Sequence, residues 1–353
     1  MPRSTNHPAR AAVSGITVVL VWLLVGSIAA AGCSSHPAAT LPPTIAPAGP
    51  AASPPVAGPP AGVVHPLPGR ARAALFDAAT SSLVAFSGGA DAHSPATVTV
   101  FGGGGVAQRT IALPGPATAL AGDNRGAAYL ATRGGYFQVD VAAGRTSRVG
   151  VDGQDGTEFT AIARRADGRL VLGSADGAVY TLGPASSVAA RVKIFSRVDA
   201  LATQGNTAVV LDRGQTSVTT IDADGARPRH ALAAGEGVTT LAADPAGRVL
   251  VADTRGGELL VFSVDPLMMR QRYPVREAPY GLAGTRTLTW VSETAANLVV
   301  GYDLATGIPL EKVRYPTVRQ PDSLAFDEAS GTLYVVSGDG DGVQVIDHAA
   351  VPR

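Results

Sequence analysis

The chain has 353 residues, enough for two ordinary domains or one large repeat fold. Glycine (42) and proline (26) make up about a fifth of it and charged residues only 16%, against about 25% in average soluble domains; this excludes a charge-rich disordered chain and, through the glycine, a helical bundle. The formal net charge of +0 creates no global attraction to nucleic acid, and the single cysteine leaves no intramolecular disulfide, multi-cysteine zinc site or haem attachment.

Residues 1–32 read as a secretory signal. Arg3 and Arg10 are the only charges before residue 70. An apolar run follows from Ile16 to Gly26, then the small residues Ser27 to Gly32, interrupted only by Ile28. Ala30-Ala31-Gly32-Cys33 resembles a bacterial lipobox, although leucine is more usual than alanine at its first position. In that family the cysteine thiol takes a diacylglycerol and the peptidase cuts before it. The expectation is a lipid-anchored protein, held in the membrane through Cys33 on its extracytoplasmic side. Two alternatives stand beside it. Ala11 to Gly32 is 22 uncharged residues, long enough for an uncleaved anchor, and the cysteine can be incidental to a plain cleavage site. All three readings place residues 34–353 outside the cytoplasm, because positive charge stays inside.

Residues 33–62 are expected to be a lipidated cysteine followed by a tether. The stretch 34–62 holds nine prolines and no charge. With little to bury, it reads as a solvated spacer of polyproline character, reaching up to roughly 90 Å.

From residue 63 one pattern recurs. A short strand of small and apolar residues, a turn and a stronger strand repeat around Leu75, Leu120, Ile162, Leu201, Leu241, Leu282 and Leu324, at spacings of 45, 42, 39, 40, 41 and 42 residues. The fifth copy, GVTTLAADPAGRVLVADTRGGELLVFSVDP from Gly237, is the clearest. Alternating apolar residues with Gly-centred turns mean antiparallel hairpins. A more variable fourth strand follows, as in residues 109–115, 190–196 and 310–316. The expected fold is all-β, a seven-bladed β-propeller of four-stranded antiparallel blades over residues 63–347, with 348–353 as a tail. The seventh copy lacks its outer strand, so residues 63–69 are expected to supply it and close the ring.

Asp244 to Asp253 (DPAGRVLVAD) resembles the NHL-type segment, and Asn297 to Gly307 (NLVVGYDLATG) resembles the YVTN segment of β-propeller repeats. The whole chain is similar to propeller lipoproteins of actinobacteria. The resemblance implies a binding platform in most such proteins, and a lactonase or dehydrogenase in some.

No catalytic constellation emerges from the residues themselves. His65, His93, His230 and His348 lack metal-ligand spacing. Ser337 to Gly342 resembles half of a calcium loop but reads as a glycine-rich hairpin turn. No metal and no cofactor is expected. One charged face stands out, where each first strand starts at the central channel. The residues preceding those strands are Arg72, Glu158, Asp199, Arg276, Glu277, Arg319 and Asp322. The loops after the second strands add Arg133, Asp212, Arg213, Asp253, Arg255 and Glu293. The face reads as solvated loop ends or as a docking surface for a polar ligand or an envelope protein. A calcium-dependent lactonase would draw on Glu158, Asp199, Glu277 and Asp322, but their alternation with arginine favours neutralised pairs. Tyr280, Trp290 and Tyr302 are the one aromatic cluster available to a sugar. The expected function is thus a non-enzymatic interaction platform, with a solute or cell-wall-fragment binder, or an enzyme, as alternatives.

Overall fold

The computed structural model describes residues 43–102 and 108–351. The signal segment, Cys33 and residues 34–42 lie outside them. Seven four-stranded antiparallel sheets form a β-propeller. The innermost strands of blades one to seven are Ala71–Asp77, Ala119–Gly122, Phe159–Arg164, Ala200–Gln204, Val238–Ala243, Pro279–Gly284 and Pro321–Asp327. All seven recurring Leu/Ile anchors lie on them and line the central channel.

The second strands explain why the ring holds. In Ser82–Ser87 every residue is buried. Leu83 and Ala85 pack toward blade seven, whereas Val84 and Phe86 pack toward blade two. The period of two thus feeds two interfaces from one strand. Each pair of neighbouring blades shares its own apolar cluster. Fully burying one such valine, leucine or phenylalanine contributes about 1.5–3 kcal/mol. A single blade would expose both faces, so stability belongs to the closed ring.

Closure occurs at blade seven, whose sheet runs Val63–His65, Val343–Ile346, Thr332–Ser337, Pro321–Asp327. Val63 pairs with Val345, Val64 with Gln344 and His65 with Val343. The closing strand covers only three of the seven residues expected, because Pro66 and Pro68 lack the N–H needed to extend the ladder. Leu67 is still buried, in the cluster between blades one and seven.

The tether differs from expectation. Residues 43–62 are a strap laid along one face of the ring. Ile45 N donates to Gly214 O in blade four (2.8 Å), and Arg255 of blade five donates to Ala46 O (2.9 Å). Arg213 donates to Ala48 O, and Asn297 of blade six to Pro54 O (2.8 Å). Ser53 and Gln320 exchange backbone–side-chain bonds of 3.0 Å in both directions. Ala61 then bonds Pro316 O and accepts from Gln344. The physical reason is twofold. Alanine, glycine and proline carry almost no side-chain entropy, so ordering them costs less than the lack of apolar bulk suggests. An extended strap also leaves its carbonyls free as acceptors, those of Ala46, Ala48, Ala51, Pro54 and Ala61 among them, and the face supplies arginine, asparagine and glutamine donors.

A chain beginning at Arg70, without strap and closing strand, is expected to melt at least about 5 °C lower and to self-associate through the bared Val343–Ile346 edge. Calorimetry and light scattering check this; an unchanged melting temperature in a monomeric protein would contradict closure.

Candidate functional site

The seven inner strands leave a channel of about 490 Å³ whose walls are chiefly alanine, leucine and glycine. Above it opens a mouth of about 830 Å³, on the face crossed by the strap. Arg72, Tyr280 and Asp322 line both spaces and so form the neck between them. Arg70 and Arg213 line the mouth alone.

The neck has a local backbone cause. Arg72 sits at the register shift between Ala71 and Ala73, Asp322 at the shift between Pro321 and Ser323, and Tyr280 within the shift between Pro279 and Leu282. A bulge leaves a residue without a cross-strand partner and re-aims its side chain. Blades three and five carry similar shifts, at Thr160 and Thr239. There the bulge residue is a threonine. Thr160 ties its strand to the Val198 carbonyl (2.6 Å), and Thr239 pairs with the Thr254 hydroxyl (2.6 Å). The bulges therefore divide between structural ties and a polar neck.

Burial pushes the Asp322 carboxyl up to about 6, with the Asp339 charge adding to it and a bond from Gln320 Nε2 to Oδ1 (2.9 Å) opposing it. Burial also raises the Tyr280 phenol, and the Asp322 charge reinforces this, so the hydroxyl keeps its proton. Arg70 and Arg72 make no side-chain hydrogen bond or ion pair among the described residues, and Arg213 is held by the strap carbonyl of Ala48.

The charged residues expected to share one surface separate into three groups. Arg72 and Asp322 reach the neck. Asp199 and Arg319 are near it but engaged: Asp199 accepts from Arg213 N (2.8 Å) and faces Arg197 at 3.4 Å, and Arg319 grips Asp339 at 2.5 Å. Burial raises the Asp199 carboxyl. Glu158, Arg276 and Glu277 are exposed loop-end residues that line neither space. Of the loop residues, Asp212 and Asp253 are fully buried and serve the backbone. Asp212 accepts from Ser196 N and Gln215 N, and Asp253 from Glu236 N, Gly237 N and Gly256 N. Glu293 is buried against Arg314 at 3.0 Å, and burial raises its carboxyl.

The aromatic cluster also separates. Trp290 is fully buried between blades six and seven, stacked near Tyr315 and Phe326, and Tyr302 is buried between blades five and six. Only Tyr280 reaches the mouth, so no aromatic platform for a sugar is assembled from these three. Ser337 to Gly342 is a turn organised by Ser337 Oγ, which accepts from Asp339 N and Asp341 N. Among the described residues no three His, Cys, Asp or Glu side chains converge as metal ligands, and no histidine side chain makes a hydrogen bond.

Sequence reasoning missed Arg70 at the mouth, and it named Arg213 and Tyr280 without bringing them together. The signal for Tyr280 was present: the pattern PYGLAG puts a large side chain one position before the inner-strand glycine.

No protein-family model matches the chain, and no curated protein matches it in sequence. Solved structures do resemble it. A streptogramin B lyase superposes with a TM-score of 0.65 at 10% identity, over 81% of this chain and 96% of that one. A chain from a mitotic checkpoint complex gives 0.68 at 12% identity, over 86% and 99%. A chain of the hydrazine synthase of Kuenenia stuttgartiensis gives 0.64 at 14%, over 82% and 98%. At such identities the likeness shows the fold, and these chains include both enzymes and a regulatory assembly.

Because the folded carboxyl of Asp322 binds its proton more tightly than an unfolded one near 3.8, it costs no stability below about pH 4. The cost grows through pH 4–6 and is full above 6. Asp322→Asn is therefore expected to raise the melting temperature at pH 7.5 by about 2–4 °C, of order 1 kcal/mol after solvent screening, with the gain gone near pH 4. A gain that persists unchanged at pH 4 would show that the effect is not ionisation.

Proposed function

We propose that this chain is a lipid-anchored, extracytoplasmic β-propeller that serves as a non-enzymatic interaction platform of the cell envelope, with the mouth face as its recognition surface. The supporting sequence features are the signal segment, the lipobox-like Ala30 to Cys33 and the NHL- and YVTN-like segments shared in pattern with actinobacterial propeller lipoproteins.

The observation that carries the reading is the strap. Among the described residues its first hydrogen bond to the ring is at blade four, on the mouth face, from Ile45 N to Gly214 O. The docked strap forms part of the mouth wall through the Ala48 carbonyl that Arg213 holds, so the proposed recognition surface includes a segment of the N-terminal stretch itself. The rigid ring supplies a fixed pattern of charge, which favours specificity through electrostatic complementarity. No acid–base pair or activated nucleophile is required by this function, and the neck residues suit binding.

Two measurements test the proposal. Labelled palmitate is expected to enter the wild-type protein and not Cys33→Ala, whose product leaves the membrane fraction. A photo-crosslinking residue placed at position 72 is expected to trap a discrete envelope protein in cells. The same residue at position 230, on an outer strand, traps none. Equal labelling of Cys33→Ala contradicts the anchor, and identical crosslinks from both positions contradict the mouth face as recognition surface.

A further inference from the structure

We infer that the channel mouth is a carboxylate-binding site, in which Arg70, Arg72 and Arg213 receive the acid group of a ligand and Tyr280 and Asp322 close over it at the neck. The inference rests on the mouth face being a recognition surface and names what it recognises.

Charge is the first argument. Three guanidinium groups line the mouth against one carboxylate, Asp322. Two of the three, Arg70 and Arg72, have no ion pair or side-chain hydrogen bond among the described residues. The other carboxylates nearby are already engaged: Asp339 with Arg319, and Asp199 with the Arg213 backbone and Arg197. The strap contributes no titratable group between residues 43 and 62. A planar guanidinium fork matches a carboxylate bidentately.

Shape is the second. The mouth of about 830 Å³ opens through the neck onto a channel of about 490 Å³ walled by alanine and leucine with Arg164, Thr203 and Thr240 among them, so a ligand with an acidic head and a short, partly polar carbon skeleton finds both surroundings. The bulges of blades one, six and seven aim the neck side chains without a cross-strand partner to hold them back. The neutral Tyr280 hydroxyl is a donor available at the neck.

Asp322 decides for a carboxylate over a phosphate. The groups facing it are Gln320, Asp339 with its Arg319, Tyr280 and Arg72. Its carboxyl is already lifted to about 6. An arriving carboxylate lifts it further, a proton enters from solvent onto Asp322, and the resulting O–H donates to the ligand oxygen. Each carboxylate brings one negative charge beside Asp322 and the neighbouring Asp339, whereas a phosphate dianion brings two.

The experiment is calorimetric titration of the detergent-solubilised full-length protein with citrate, with a hexaglutamate peptide and with inorganic phosphate. Titrations at pH 7 in buffers of different ionisation heat count protons. Citrate or the peptide is expected to bind more tightly than phosphate, with net proton uptake. Arg70→Ala/Arg72→Ala is expected to weaken binding at least tenfold at an unchanged melting temperature, and Asp322→Asn to bind without proton uptake. Citrate binding best identifies a small organic acid as the source, and the peptide binding best an acidic segment of a protein partner. Phosphate binding as tightly as either, no binding of citrate or peptide in the millimolar range, or full affinity in the double arginine variant would overturn the inference. It can fail while position 72 still crosslinks a protein in cells, and the crosslink can fail while citrate binds, so the two readings are separable.

Discussion

The structure depends on joining its two ends. Blade seven is incomplete until Val63–His65 pairs with Val343–Ile346, and without that pairing the propeller has one bare edge and one weakened interface. Because a blade is stabilised by its neighbours rather than by itself, the consequence travels around the ring. Three residue pairs are a small contact for such a role. Leu67, buried just beyond them between blades seven and one, adds an apolar anchor to the hydrogen-bonded one.

Closure also determines where the preceding segment goes. The chain leaves the closing strand at its mouth-face end, where His65 pairs with Val343, and before entering it at Val63 residues 43–62 have crossed blades four to seven and met donors placed there by the ring. Arg213 belongs to this strap contact and to the mouth at once. The segment that joins the ring to the N-terminal region is thus also part of one wall of the candidate site. A substitution in the strap can alter the mouth without touching it, by freeing the Arg213 guanidinium to adopt other rotamers.

The fold was legible because the repeat is carried by residue types that the architecture requires. A strand buried on both faces must alternate two sets of apolar residues, and the Leu/Ile anchors must recur at each passage past the channel. The closing strand was legible from a missing fourth strand in copy seven. The strap was not, because its binding rests on backbone carbonyls and on low ordering entropy, neither of which appears as a hydrophobic pattern. The site was half legible. Arg72 and Asp322 were expected just before inner strands and lie instead at the second position of theirs, whereas Glu158, Arg276 and Glu277 do precede their strands and point elsewhere. What separates them is position relative to a one-residue bulge: Arg72 and Asp322 sit at the shift, while in blades three and six the shift falls on Thr160 and Tyr280, a register property that depends on both strands. Asp212 and Asp253 misled for another reason: buried carboxylates that cap loop N–H groups look in sequence like exposed charges at a channel mouth.

The central claim is that the N-terminal segment, through closure and strap, is an integral part of the ring and its mouth. Native-state hydrogen exchange reads this amide by amide. Ile45, Ser53 and Ala61 donate backbone N–H bonds to the ring, at 2.8, 3.0 and 3.0 Å, and so does the closing ladder around Val345. The account predicts protection at Ile45, Ser53 and Ala61, at least a hundredfold over a free chain and lost on removal of the closing strand, with fast exchange at Val56 and Ala57 between them. Exchange at Ile45, Ser53 and Ala61 as fast as in an isolated peptide would contradict it.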